Sequence, residues 1–326
     1  MDAFESLLRK HRNSRFLVLD PEGGFGDQLI LMGLEKKLQE MRIHYRLLRI
    51  RRSPSMNKPL ARAMNSLPHL QGIIRAARPD ILERGVRRLF AQHDEGPVFG
   101  LGRSEDVILL RGGAYLNDIW KDYGALRLVS KIAECMRATT VLISPQSFYF
   151  STSQYAKPFA SIKQVEHLFC RETESYNLLR SLQWPGNVHA HISPDTALYL
   201  TSSDFQIQTR RANYILIAPR LDRESVVRWR IRKIRRSSGK TIVTKDVNLL
   251  PNFKSYVETI ANSSEVYTDR LHVAILAAIL NKETYLLPNS YHKNKSAYGF
   301  SLKRFPNVNF IDTNEFPFRN HEKLRL

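Results

Sequence analysis

Arg270 and His272 stand where a short β-rich run, Val266 to Thr268, ends and an unbroken apolar run begins. Arginine offers a planar fork for phosphate or carboxylate, and histidine a proton donor. A helix starting near Asp269 puts both in its first turn, where unpaired backbone N–H groups and the positive end of the dipole already favour an anion. One strand later comes a polar loop with Asn289, Tyr291, His292, Lys293 and Lys295. Taken singly, Arg270 reads as the partner of a nearby carboxylate and His272 as a hydrogen-bonded core residue. The pair, followed by a lysine-rich loop, points to anion binding coupled to proton transfer. Asp118, at the expected start of a helix, is either an ordinary N-terminal helix residue or a base for a hydroxyl proton. Arg171 reads equally as an anion ligand or as the salt-bridge partner of Glu172 or Glu174.

These residues need strand ends to hold them. Apolar runs at Phe16–Leu19, Tyr45–Ile50, Asp106–Leu110, Thr140–Ile143, Gln164–Cys170 and Val188–Ile192 alternate with helical patterns. A second series opens at Tyr214–Ala218 and closes at Val308–Asp312. Such alternation predicts parallel α/β sheets, with ligands at the carboxyl ends of the strands. The first strand runs into Gly23-Gly24-Phe25-Gly26-Asp27, the third into Arg111-Gly112-Gly113, and the fourth into Ser144-Pro145-Gln146-Ser147. The glycines allow backbone to approach a ligand, though each turn can also be only tight. No third glycine completes a dinucleotide fingerprint. Gln146 and Ser147 are candidate hydrogen-bonding groups for a sugar or phosphate.

Arg270-Leu271-His272 before an apolar helix, with Asn289-Ser290-Tyr291-His292-Lys293-Asn294, resembles the C-terminal signature of the polysaccharide pyruvyltransferase family. Gly26-Asp27 is similar to that family's Asn-x-Gly-Asp loop, with Gly24 in place of Asn. Gly112, Gly113, Asp118 and Trp120 resemble its glycine-rich Asp-x-Trp motif, from which Ala114, Tyr115 and Asn117 depart. Arg171 resembles the arginine of an Arg-(Asp/Glu)-x-x-Ser motif, and Pro194-Asp195-Thr196-Ala197 a Pro-Asp-x-Ala step in which Asp195 is expected to serve structure. The order of the motifs covers Phe16 to Asp312. The resemblance implies two doubly wound Rossmann-like domains facing a cleft, as in GT-B enzymes: residues 1–200 on the acceptor side, a linker at 201–211, residues 212–312 on the donor side, and a tail at 313–326. It implies transfer of pyruvate from phosphoenolpyruvate to a sugar of a cell-surface polysaccharide or its lipid-linked precursor, with no cofactor. His272 is then the acid and Asp118 the base. Arg270, Leu271, Arg171 and Lys293 bind the donor, and Gly26, Asp27, Gly112, Gly113, Gln146 and Tyr291 the substrate. A GT-B glycosyltransferase using a nucleotide sugar, and a non-catalytic glycan- or membrane-binding module, are the alternatives.

The totals constrain this reading. A chain of 326 residues is long enough for two such domains. Cys135 and Cys170 lack metal or redox spacing and read as reduced core residues, as expected in the cytoplasm. Residues 1–13 lack the apolar core of a secretory signal, and no run approaches a membrane span. No Cys/His or carboxylate cluster has metal-ligand spacing. The net charge of +19 fits anionic substrates or peripheral contact with the inner face of an anionic plasma membrane. The basic residues are dispersed and form no nucleic-acid motif. The densest basic run is Arg228 to Arg236, where Val227, Ile231 and Ile234 share one helical face beside Trp229. It reads as a solvated face or a membrane-docking one.

Overall fold

The computed structural model describes residues 1–21, 23–50, 106–120, 140–150, 165–182, 188–207, 214–226 and 241–312. They form two all-parallel sheets. The first contains β1 (Arg15–Pro21), β2 (Tyr45–Ile50), β3 (Asp106–Leu110), β4 (Thr140–Gln146), β5 (Val165–Cys170) and β6 (His189–Ile192), in the order β2-β1-β3-β4-β5-β6. The second contains β7 (Tyr214–Ala218), β8 (Thr241–Thr244), β9 (Ser263–Thr268), β10 (Glu283–Leu286) and β11 (Val308–Phe310), in the order β11-β10-β9-β7-β8. The continuous apolar runs expected of strands covered on both faces are borne out: every residue of β4 is buried. In each sheet the chain steps one way from its first strand and then the other. This leaves a switch point between β1 and β3 and another between β7 and β9, the places where such sheets hold ligands.

Among the described residues six α-helices accompany the sheets: α1 (Ala3–Lys10), α2 (Phe25–Glu40), α3 (Thr173–Arg180), α4 (Phe253–Ala261), α5 (Leu271–Ile279) and α6 (Lys293–Ala297). Their starts are set locally. The Glu172 side chain accepts from Ser175 N at α3, and the Asn252 side chain accepts from Ser255 N at α4. Arg270 is the residue before α5, so His272 lies in the first turn as expected. Lys293 opens α6 instead of lying in a loop.

Alternate residues of β1 and β3 feed two apolar layers, Leu17 and Ile108 on one face, Phe16 and Val107 on the other. A third apolar body joins the two halves. Leu29 of α2 and Ala197 pack with Leu216, Val266, Leu271 and Val273 of the second sheet and its helices. Residues 202–204 form a 3-10 turn tied to α2 by Lys36 Nζ, 2.6 Å from Asp204 Oδ2. The expected helices between 61 and 92, the helix continuing past residue 120, Cys135, the basic run 228–236, the end of the linker and the tail 313–326 lie outside the described residues. Among the described residues, no helix is long and apolar enough to cross a membrane.

Candidate active site

The two switch points open onto one cleft of about 240 Å³, lined from the first sheet by the Gly23–Asp27 loop, Arg111 and Arg171, and from the second by Arg220, Arg270 and His272. At one wall of it, three residues from three elements meet. Arg171, just past β5, donates from Nη1 to Asp195 Oδ2 at 2.6 Å, and from Nε to Ser147 Oγ at 2.8 Å. His272 Nε2 lies 3.1 Å from the same Asp195 oxygen and 3.2 Å from Arg171 Nη1. Asp195 also accepts from Ala197 N at 2.9 Å, which fixes the carboxylate on its own turn. Burial alone would raise the Asp195 carboxyl. His272 and Arg171 outweigh burial and hold it well below the usual carboxylate range. A carboxylate fixed at Nε2 sets the ring's orientation and leaves Nδ1 for chemistry.

That Nδ1 faces the glycine loop. A Cβ on Gly26 would stand 2.6 Å from it, so residue 26 can only be glycine while the ring is in place. A Cβ on Gly23 would likewise stand 2.2 Å from Asp27 Oδ2. The loop is thus carved around an imidazole and a carboxylate. Asp27 Oδ2 accepts from Gly24 N at 2.9 Å, and Oδ1 from Arg111 Nη1 at 2.9 Å. Two of the carboxylate's four lone-pair positions remain for a ligand. Arg111 is itself buried and pinned by Asp20 and by the Pro21 and Gly112 carbonyls. Burial works to raise the Asp27 carboxyl, but Arg111 and His272 prevail and it is lowered. It is therefore ionised at neutral pH.

On the second sheet's side, cations are matched by carboxylates. Arg270 Nη2 contacts both Asp246 oxygens at 2.7 Å. Arg220 binds Asp222 through Nε at 2.8 Å and lies 3.0 Å from Glu224. Lys293 donates to buried Glu224, which also accepts from Trp120 Nε1 of the first domain. Burial opposes the Glu224 charge, yet Lys293 and Arg220 pull its carboxyl down to about 2. Burial dominates on Lys293 and lowers it to about 8. Three lining residues still carry a buried polar atom without a partner among the described residues: Arg171 Nη2, Arg270 Nε and Tyr256 Oη. Buried donors left unmatched in this way call for a ligand or water.

Arg270, Leu271, Arg171, Lys293, His272, Gly26 and Asp27 therefore share one cleft. Other expected site residues fall elsewhere. Asp118 is not part of the lining, and its backbone N–H donates to Tyr149 O at 3.0 Å. The cause is Asn117, whose Oδ1 accepts from Ile119 N and Trp120 N and turns the loop so that Trp120 reaches the cleft. Gly112 packs against backbone: its Cβ would stand 2.1 Å from Pro145 O. Gly113 has φ +154°, and its carbonyl accepts from Ser147 N at 2.9 Å. Gln146 is fully buried, with no partner for either amide atom among the described residues, and lies outside the lining. Tyr291 is outside the lining and packs at a tilt against Tyr149, with centroids 5.1 Å apart. Glu172 and Glu174 are not the partners of Arg171; Glu172 instead caps α3. Asp195, expected to serve structure alone, also holds His272. Arg111, Tyr256, Arg220 and Glu224 were not singled out by sequence. Their positions at or beyond strand ends were the available signal for Arg111 and Arg220.

With this geometry in hand, comparison places the chain among known proteins. The sequence profile described as polysaccharide pyruvyl transferase matches residues 25–291. "Putative pyruvyl transferase EpsO" of Bacillus subtilis (strain 168) is 24% identical over 307 residues, covering 79% of this chain and 94% of that protein. "General stress protein 30" of the same organism is 23% identical over 234 residues, 65% of this chain and 66% of that protein, just under two thirds of its length. The crystal structure of an uncharacterized protein of Klebsiella pneumoniae subsp. pneumoniae NTUH-K2044 shares the fold, with TM-score 0.62, 21% identity and coverage of 94% of this chain and 96% of that one. The profile spans most of the sequence and reaches strands of both sheets, and the chain belongs to the polysaccharide pyruvyl transferase family, a family of transferases.

Proposed function

We propose that the protein moves pyruvate from phosphoenolpyruvate to two hydroxyls of a saccharide, forming a cyclic ketal. The observation that carries this reading is the pair of buried, unmatched guanidinium donors, Arg171 Nη2 and Arg270 Nε, in the cleft that holds His272. A small dianionic or trianionic donor satisfies both. Arg171, beside the imidazole, takes the carboxylate, and Arg270 the phosphate. His272 Nδ1 protonates the methylene carbon, and the Asp195 carboxylate stabilises the imidazolium before transfer. Asp27 serves as the base in place of Asp118, because it lines the cleft on the same loop that faces His272.

The protons balance. As the first hydroxyl oxygen bonds to the central carbon, its proton passes to Asp27 and the double-bond pair takes the His272 proton to make the methyl group. The carbon–phosphate bond then breaks, and inorganic phosphate carries away the Asp27 proton. The second hydroxyl closes the ring and its proton restores His272. The +19 charge supports an acceptor presented at an anionic membrane, as a lipid-linked saccharide is. Incubation with phosphoenolpyruvate and a panel of free and lipid-linked saccharides is expected to release phosphate and add pyruvate to an acceptor. Well-folded protein that releases none across the panel, and that is stabilised by nucleotide sugars but not by phosphoenolpyruvate, overturns the reading.

A further inference from the structure

Tyr256 is an unexplained feature of the cleft. It lies on α4, is fully buried, and lines the cavity, yet its hydroxyl has no hydrogen-bond partner among the described residues. A phenol oxygen in that state has lost water without recompense, at a cost of roughly 1–3 kcal/mol converted to about a 5- to 150-fold change in an equilibrium constant. The ring is not adrift. It packs at 5.3 Å from Phe25, at the start of the glycine loop, and stacks at 5.9 Å on Phe253. Phe25 belongs to the first domain's α2 and Phe253 to α4, so aromatic contacts from both sides fix where the hydroxyl points. Packing alone would be served as well by phenylalanine. The buried oxygen therefore calls for a hydrogen-bond partner beyond the described residues.

We propose that Tyr256 Oη donates a hydrogen bond to a non-bridging oxygen of a phosphomonoester, alongside Arg270 Nε. This rests on the donor reading above and adds a second phosphate ligand, one that neither the motifs nor the charge pattern marks. Two observations converge on phosphate. Arg270 Nε is the other unmatched donor of the second domain among the described residues, and Arg270 lines the same cleft. Burial pushes the Tyr256 phenol up, so it remains a neutral donor across the working pH range. A phosphate has enough acceptor oxygens for both groups, whereas a carboxylate already paired with Arg171 has fewer to offer.

The test is Tyr256→Phe, which keeps the ring and deletes the oxygen. Thermal shift and titration calorimetry are run on full-length wild type and variant with phosphoenolpyruvate, inorganic phosphate and pyruvate as separate probes. The expected result is an unliganded melting temperature no lower than wild type. Affinity for phosphoenolpyruvate and for inorganic phosphate should be about 10- to 100-fold weaker, with pyruvate binding unchanged, the range expected for one hydrogen bond to a charged group. Equal phosphoenolpyruvate affinity in the two proteins overturns the inference while leaving the donor assignment intact. Pyruvate weakened as much as phosphate overturns the assignment of the hydroxyl to the phosphate. If wild type itself binds none of the three probes, the donor reading fails and takes this inference with it.

Discussion

Replacing Gly26 by alanine adds one methyl group where α2 of the first domain meets His272 of the second. The new Cβ would lie 2.6 Å from His272 Nδ1 and 2.9 Å from both its Cβ and Cγ, where ordinary contact begins at 3.4 Å. Ring or loop must therefore retreat by about 0.8 Å, because overlap at that range is steeply repulsive. The Nε2 contacts to Asp195 and Arg171 are 3.1 and 3.2 Å, already at the long end for a hydrogen bond, and do not survive such a shift. Misplacement of a reacting group by about 1 Å costs on the order of 10²-fold in rate. Gly26 is a helical residue of α2 without positive φ, so alanine adds no backbone strain and is the better helix former. The expected outcome is a drop in turnover of about 10²-fold with a melting temperature within a few degrees of wild type. Phosphate release and differential scanning fluorimetry on one Gly26→Ala preparation measure both. Wild-type turnover in that variant would refute the claim that the imidazole held against Gly26 is the proton donor.

Three further outcomes are expected. His272→Asn lowers turnover by roughly 10²–10⁴-fold with the fold retained, the usual range for a general acid; a destabilised but active variant removes His272 from the mechanism. Asp27→Asn abolishes most phosphate release while phosphoenolpyruvate still raises its melting temperature, whereas Asp118→Asn stays near wild type. The reverse ranking returns the base role to Asp118. Glu224 has its folded-state carboxyl lowered from 4.5 to about 2, so its stabilisation is fully present above about pH 4.5 and is lost as pH falls toward 2. Urea midpoints of wild type and Glu224→Gln should accordingly differ at pH 7 and converge below pH 4.5. Parallel curves at every pH would show that the charge of Glu224 is not what stabilises the fold.

Strands were the legible part of this chain, for a simple reason. A strand buried on both faces, such as Thr140–Gln146, must be apolar along its length, so pattern and structure coincide. Arg270 and His272 were legible because helix starts are local. Partners were not. Asp246, which neutralises Arg270, is 24 residues away in sequence, and Arg111 reaches Asp27 across 84. Asp118 misled because its spacing from two glycines resembled a motif, while the direction of the loop is decided by Asn117, a departure from that motif. Tyr256 was not singled out, because nothing in its spacing announces that α4 carries it to the lining of the cleft.

The sharing of the Arg171–Asp195–His272 cluster between two sheets also sets a schedule for biosynthesis. Arg171 and His272 are 101 residues apart, so the first sheet can be complete while the segment carrying His272 is still unmade. At about 5–20 residues per second the ribosome takes roughly 5–20 s to supply it. During that interval Leu29, Ala197 and Leu200 lack the Leu216, Val266 and Leu271 surface that covers them in the finished protein. The nascent first half is then a client for chaperones that bind apolar helices. A pause before codon 271 would lengthen that exposure, whereas one after codon 280 would come when the cover for α2 has already been synthesised.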